Sequence, residues 1–249
     1  MIQVKPYSAF APNYNFLLKH VDYQSWYIYL RSIMNKYLTN PETVLELGSG
    51  TGILGRKFAY DNFLSYGLDN SLEMLRIAKS QTSPNYYLFG ADIKNFSLTK
   101  NIDFIFAVHD IINYQLKISD LRQVFNSVKK VMAPHSIFMF DITTEYNVKT
   151  NFCQKTSYYN FQGKKIAWSN IFDPSAKFIT STLIFSTPNE PSLVEKHQQR
   201  IYSIKEIKKI LKEENFEILA IYGDNSFSKP QKKTIMINFI TKKTKPQKR

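Results

Sequence analysis

The chain has 249 residues, 43% of them hydrophobic and 21% charged. A chain of this length buries about 70% or more of its unfolded surface, which excludes dependence on disulfide or metal staples, and the composition excludes a wholly disordered chain. Lys and Arg number 33 against 20 Asp and Glu, a net charge of +13, and the single cysteine, Cys153, excludes an internal disulfide and any cysteine-cluster metal centre.

No apolar run approaches ~18 residues, so no membrane-spanning helix is expected. The start, MIQVKPYSAFAPNYN, has no apolar signal core. The expectation is a cytoplasmic protein without membrane contact. The basic excess is uneven. Residues 1–150 hold 15 basic and 12 acidic residues, whereas residues 151–249 hold 18 and 8. Lys242, Lys243, Lys245, Lys248 and Arg249 fall in the last nine residues, which read as a basic tail over 242–249. A basic arm can track phosphate, but no aromatic residue is interleaved in TKKTKPQKR for base stacking.

Residues 22–37 place Tyr23, Trp26, Tyr27, Leu30, Ile33, Met34 and Tyr37 at helical spacing, which predicts an amphipathic helix. Pro41 ends it, and VLEL (44–47) follows as a short apolar strand. A glycine-rich turn then leads into a helix. LSYGL (64–68), YYLFG (86–90), IDFIFAV (102–108) and SIFMF (136–140) predict four further strands, with helices at 71–80 and around Leu121–Met132. The run at 102–108 is continuously apolar, as befits a strand buried on both faces. Residues 155–202 are aromatic and rich in Thr and Ser, which predicts inserted antiparallel strands. Ser203 and Glu206 form a capping box opening a last helix. FEILAIY (216–222) and TIMINFI (234–240) predict two closing strands. Alternation of strand and helix argues an α/β fold, a doubly wound, mostly parallel seven-stranded sheet.

The chemistry-bearing segment is Glu46-Leu47-Gly48-Ser49-Gly50-Thr51-Gly52, between the first buried strand and a helix. Glycines there let backbone approach a ligand, and the helix start offers free amides. Gly50, Gly52 and Gly55 also satisfy a dinucleotide fingerprint. Glu46 favours a different ligand, because a carboxylate at the strand end repels a pyrophosphate and attracts an amino group or sulfonium. Asp69 is placed to accept from ribose hydroxyls, and Asp92 from an adenine amine. These three acids recur 23 residues apart, each at a strand's carboxyl end, where open α/β sheets bind ligands.

ELGSGTG, GLDNS and GADI together resemble the class I S-adenosylmethionine-dependent methyltransferases. YSAFAPNYN, Asp22-Tyr23-x-x-Trp26, HDIINY (109–114), FDI (140–142) and Glu195-x-His197-x-x-Arg200 resemble signatures of a bacterial small-methyltransferase group within them. The likeness covers essentially the whole chain. It implies a Rossmann-like methyltransferase domain over 1–154 and 203–241, with 155–202 as an inserted antiparallel lid. It also implies S-adenosyl-L-methionine as cofactor, held by Glu46, Gly48, Ser49, Gly50, Asp69, Asn70, Met74, Asp92, Ile93, His109 and Asn113. Tyr7 and Tyr14 would fold over it, with a phenol bonding its carboxylate, and Trp26 either contacts it or packs in the core. Asn15, Asn70 and Pro134-His135-Ser136 depart from the group's usual residues.

His197 and Asp110 are the candidate bases, should the nucleophile arrive protonated. His197 would sit on a strand roofing the pocket. The bland alternative makes Glu195, His197 and Arg200 a solvated strand face. Tyr158, Tyr159, Phe161, Trp168 and Phe172 would line the lid and close a pocket of small-ligand size. The expected acceptor is a small molecule, with RNA as the alternative suggested by the basic second half. A nicotinamide oxidoreductase and a non-catalytic binding module are the remaining readings. No metal site is expected, and the chain would act as a monomer or homodimer.

Overall fold

The computed structural model describes residues 1–81 and 83–244. In chain order the elements are β1 (Ile2–Val4), α1 (Tyr14–Leu17), α2 (Tyr23–Tyr37), β2 (Thr43–Leu47), α3 (Ile53–Tyr60), β3 (Leu64–Asp69), α4 (Leu72–Lys79) and β4 (Tyr86–Gly90). Then come β5 (Ile102–Ala107), α5 (Ile118–Val131), β6 (Met132–Thr143), α6 (Glu145–Asn147), β7 (Thr156–Phe161), β8 (Lys164–Asp173), β9 (Phe178–Ser186) and β10 (Leu193–Arg200). The chain closes with α7 (Ile204–Glu213), β11 (Phe216–Gly223) and β12 (Met236–Lys243).

The main sheet has seven strands in the order β11-β12-β6-β5-β2-β3-β4. Strands β2 to β6 pair in parallel, and β12 pairs antiparallel with both β6 and β11. Strand order reverses at β2, whose neighbours are β5 and β3. The crevice above that reversal is where such sheets take ligands. Both faces are buried. Phe104 and Phe106 turn to the cluster holding Leu30, Ile33 and Met34 of α2 and Phe58 of α3. Ile105, Phe138 and Phe140 turn to the cluster holding Phe125 of α5 and Ile207 and Leu211 of α7. The period of two in β5 and β6 thus assigns one set of side chains to each helical layer.

The predicted insertion is an antiparallel sheet, β10-β9-β8-β7, and it is extended by an element absent from the sequence reading. Residues 2–4 add as β1, parallel to β10. The capping box at Ser203 and Glu206 is present in both directions. Two strand ends differ from expectation. β6 starts at Met132 and runs through Pro134–Ser136, and β12 continues to Lys243. Lys242 and Lys243 therefore belong to a strand rather than a tail. Lys242 lies 3.2 Å from Glu217, and Lys243 donates to the Met132 carbonyl at 2.5 Å. Thr244 bonds the Asn215 carbonyl, and the last five residues of the predicted tail, 245–249, lie outside the described residues.

Phe125 is fully buried, against Phe138, Phe140 and Phe216. Phe125→Ala is expected to destabilise the fold by about 3–5 kcal/mol. Urea unfolding should show this as a lower midpoint at unchanged slope.

Candidate active site

The glycine loop is built by close packing beneath it. Gly48, Gly50 and Gly52 all have positive φ, at 67°, 52° and 74°. A Cβ on Gly48 would collide with the Ile111 side chain. Built on Gly55 or Gly67, it would come within 2.6 Å of the Tyr86 hydroxyl, and on Gly52 within 3.0 Å of the Tyr86 ring. Tyr86 therefore fills the space these glycines leave, which explains Gly52 and Gly55 without a pyrophosphate. Gly50 differs, because a Cβ there would meet nothing within 4 Å. Its backbone faces an open cavity.

Glu46 lies under this loop, 5% exposed. It accepts from the Gly55 amide at 2.8 Å, in the first turn of α3, and its oxygen is 3.5 Å from the Tyr86 hydroxyl. Burial pushes the Glu46 carboxyl up to about 8, against the lowering effect of the Gly55 amide. Asp69 ends β3 and accepts from the Gly50 and Ser71 amides, both at 2.8 Å, so one carboxylate ties the loop to the start of α4. Burial raises its pKa as well. Asp92, after β4, accepts from the Lys94 amide at 2.9 Å. Asn15 accepts from the Thr51 hydroxyl at 2.9 Å, so it tethers α1 to the glycine loop.

Glu46, Gly50, Thr51, Asp69 and Asp92 help wall a cavity of about 590 Å³. Of the predicted cofactor residues, the fold brings Tyr7, Tyr14, Glu46, Gly48, Ser49, Gly50, Asp69, Asn70, Met74, Asp92, Ile93 and His109 onto its wall. Trp26 and Asn113 are not on it. Trp26 is buried with its ring 4.8 Å from that of His109. Asn113 is fully buried as a clamp, donating to the Arg200 carbonyl at 2.6 Å and accepting from the Thr143 amide at 3.1 Å. His109 is stacked on Tyr23, and burial alone lowers its pKa to about 4, so it stays neutral at pH 7.

Neither candidate base lines the cavity. Asp110 follows a left-handed turn, φ 64° at His109 and 63° at Asp110, which the buried Asp141 carboxylate holds by accepting both backbone amides. Burial raises Asp110 to about 6, and one of its oxygens is buried without a hydrogen-bond partner. His197 is 5% exposed, with Nε2 2.8 Å from Glu195 and its ring against Tyr7 and Phe10. The solvated-face reading of β10 fails for Glu195 and His197, because residues 7–10 cover them. Glu195 is fully buried and accepts from the backbone amides of Tyr7, Ala9 and Phe10.

The aromatic lid is likewise different from expectation. Tyr158 is 80% exposed. Tyr159 and Trp168 pack against Phe10 and Leu17, Phe161 stacks on Phe16, and Phe172 joins Val148 and Ile201. None of them lines the cavity. Tyr159, Phe161 and Trp168 hold the amino-terminal segment, which supplies the roof through Lys5, Pro6, Tyr7 and Ser8. Tyr23, Tyr86, Tyr114 and Asp141 are not among the predicted site residues. Tyr23, Tyr114 and Asp141 fall within the Asp22-Tyr23-x-x-Trp26, HDIINY and FDI signatures, and Tyr86 falls in a predicted strand with no such signal.

Residues 44–135, which contain Glu46, Asp69, Asp92 and Asp110, match the family of methyltransferase domains. A protein named as a methyltransferase in Geobacillus sp. (strain WCH70) is 24% identical over 245 residues, covering 95% of this chain and 99% of that one. The chain carries a methyltransferase domain. Its fold is shared with the S-adenosylmethionine-dependent methyltransferase of Clostridium acetobutylicum, with a TM-score of 0.82, 24% identity and coverage of 96% of this chain and 99% of that one. It is also shared with CalS10, an amino pentose methyltransferase of Micromonospora echinaspora, with a TM-score of 0.70, 12% identity and coverage of 93% and 96%.

The methyltransferase cavity fits its cofactor on two counts, an open backbone cradle at Gly50 and acids at three successive strand ends. Gly50→Val should abolish binding of S-adenosylmethionine, measured by calorimetry, while circular dichroism stays that of the parent. Cofactor affinity should also depend on pH. Glu46, raised to about 8, is protonated below that pH, and a bound cation favours its ionised form. Affinity should therefore rise from pH 6 to pH 8, by at most about tenfold per unit, and level off above. Glu46→Gln should flatten that rise.

Proposed function

We propose that the methyltransferase acts on a small-molecule acceptor, by in-line displacement at the cofactor's methyl group. The carrying observation is the cavity under the amino-terminal roof. Its volume, about 590 Å³, is within the ~300–1,000 Å³ range of small-ligand sites. Its wall carries Glu46, Asp69, Glu73 and Asp92 against Lys5 and Lys94. Acids outnumber bases there although the whole chain has a net charge of +13. Such a wall suits a cationic ligand and opposes entry of a phosphate backbone.

In this reading Gly48 to Gly50 and Glu46 hold the aminoacyl end of the cofactor, Asp69 the ribose, and Asp92 and Ile93 the adenine. The bound cofactor supplies an electrophilic methyl group and a thioether leaving group. The protein's part is to align the nucleophile with the methyl–sulfur axis and keep water out. Orientation of this kind is worth roughly 7–11 kcal/mol of barrier. The amino pentose methyltransferase that shares the fold supports an acceptor of this size.

RNA is the second reading, favoured by the basic excess of residues 151–249. Two lysines of its proposed arm, Lys242 and Lys243, are already engaged in β12. The deciding experiment incubates the protein with methyl-labelled S-adenosylmethionine and a cell extract separated into low-mass and macromolecular fractions. Label is expected in the low-mass fraction, with turnover little changed between 50 and 200 mM salt. Label in nuclease-sensitive material, lost steeply with salt, would replace this reading by the RNA one.

A further inference from the structure

Beside the cavity lies a chain of hydrogen bonds. The Tyr7 hydroxyl donates to the Tyr114 hydroxyl at 2.8 Å. The Tyr114 hydroxyl is 3.4 Å from His197 Nδ1, and His197 Nε2 is 2.8 Å from Glu195 Oε1. Tyr7 and Tyr114 line the cavity. His197 and Glu195 are behind them, buried. The chain therefore leads from the ligand space to an interior carboxylate.

Donor counting gives it a direction. An ionised carboxylate accepts at about four positions and donates at none. Glu195 accepts from three amides, those of Tyr7, Ala9 and Phe10, and its remaining partner is the Nε2 of His197, to which an ionised carboxylate has no hydrogen to give. Nε2 must then carry the hydrogen. In the neutral imidazole that leaves Nδ1 as the acceptor, and the Tyr114 hydroxyl has to donate to it. Tyr114 oxygen in turn receives the Tyr7 proton. Tyr7 is left facing the cavity with a free lone pair and no free hydrogen, so it can accept from an N–H or O–H in the cavity.

We propose that Tyr7, Tyr114 and His197 form a proton relay that removes the acceptor's proton during methyl transfer. The inference rests on the small-molecule reading above. As the acceptor's nitrogen or oxygen bonds to the methyl carbon, the carbon–sulfur bond breaks and sulfur keeps the electron pair. The acceptor's proton passes to Tyr7 oxygen, the Tyr7 proton to Tyr114, and the Tyr114 proton to His197 Nδ1. The resulting imidazolium lies against the Glu195 carboxylate, which compensates its charge in a buried setting. Burial raises the pKa of both phenols, so they pass protons on rather than hold a charge. The Tyr114–His197 contact is long, as catalytic contacts are before ligand tightens a site. Tyr7 is the catalytic residue here, and Tyr114 and His197 act through it.

Two measurements test the relay. In nitrogen-15 histidine spectra of the protein, with His197 assigned by comparison with His197→Gln, Nε2 should be protonated and Nδ1 bare. Tyr114→Phe should shift the Nδ1 resonance. In the labelling assay with the low-mass fraction, Tyr114→Phe should bind S-adenosylhomocysteine within twofold of the parent and turn over at least tenfold more slowly. A hydrogen on Nδ1 in place of Nε2, or full turnover by Tyr114→Phe, would overturn the relay. If the parent protein transfers no label to low-mass material, the acceptor reading fails by itself, and the spectra still decide whether the directed chain exists.

Discussion

The arrangement of the site depends on one carboxylate. Glu195 is fully buried in β10, and its two oxygens take three backbone amides from residues 7–10 and one imidazole hydrogen. A buried carboxylate lacking such donors would cost several kcal/mol. The amino-terminal segment therefore cannot leave the inserted sheet without exposing or stranding that charge. It holds Tyr7 at a φ of 65°, a conformation that an unattached tyrosine avoids. The roof of the cavity is thus fixed to the insertion through Glu195 and to the main sheet through the Tyr7–Tyr114 hydrogen bond.

This explains why two sets of aromatic residues do different jobs. Those of the insertion, Tyr159, Trp168 and Phe161, form a platform for Phe10, Leu17 and Phe16. Those of the roof and of the loop after β5, Tyr7, Tyr14 and Tyr114, face the ligand space. The insertion shapes the cavity by positioning a segment more than 140 residues earlier in the chain, a task that contacts with the ligand alone would not reveal.

The main fold was legible in the sequence because its signals are local. The period of two in β5 and β6, the apolar spacing of α2 and the Ser203–Glu206 box each act over a few residues. So did the strand-end acids, since strand ends are themselves readable. β1 was not legible, because three residues pairing with β10 some 190 positions away carry no periodicity. The burial of Glu195 and His197 was missed for the same reason. Alternation in β10 said that two faces differ, but only residues 7–10 decide which face is covered. Tyr86 is the reverse case. Gly52 and Gly55 read as glycines that let backbone approach a ligand, whereas a neighbouring strand's tyrosine fills the space they leave.

Floor and roof also differ in how they meet charge. The floor holds acids whose pKa values burial raises, Glu46 and Asp69, each partly compensated by amides of the loop they support. Those carboxylates are costly without a cation and stabilised by one, so the floor is prepared for a positively charged ligand. The roof's acid is already satisfied by the protein's own donors and offers nothing to a ligand directly. Its influence reaches the cavity only through His197 and the two phenols. A site with one acid left short of donors on the cavity wall and another fully supplied behind it can separate holding a cation, done by the first, from accepting a proton, done by the imidazole that the second supports.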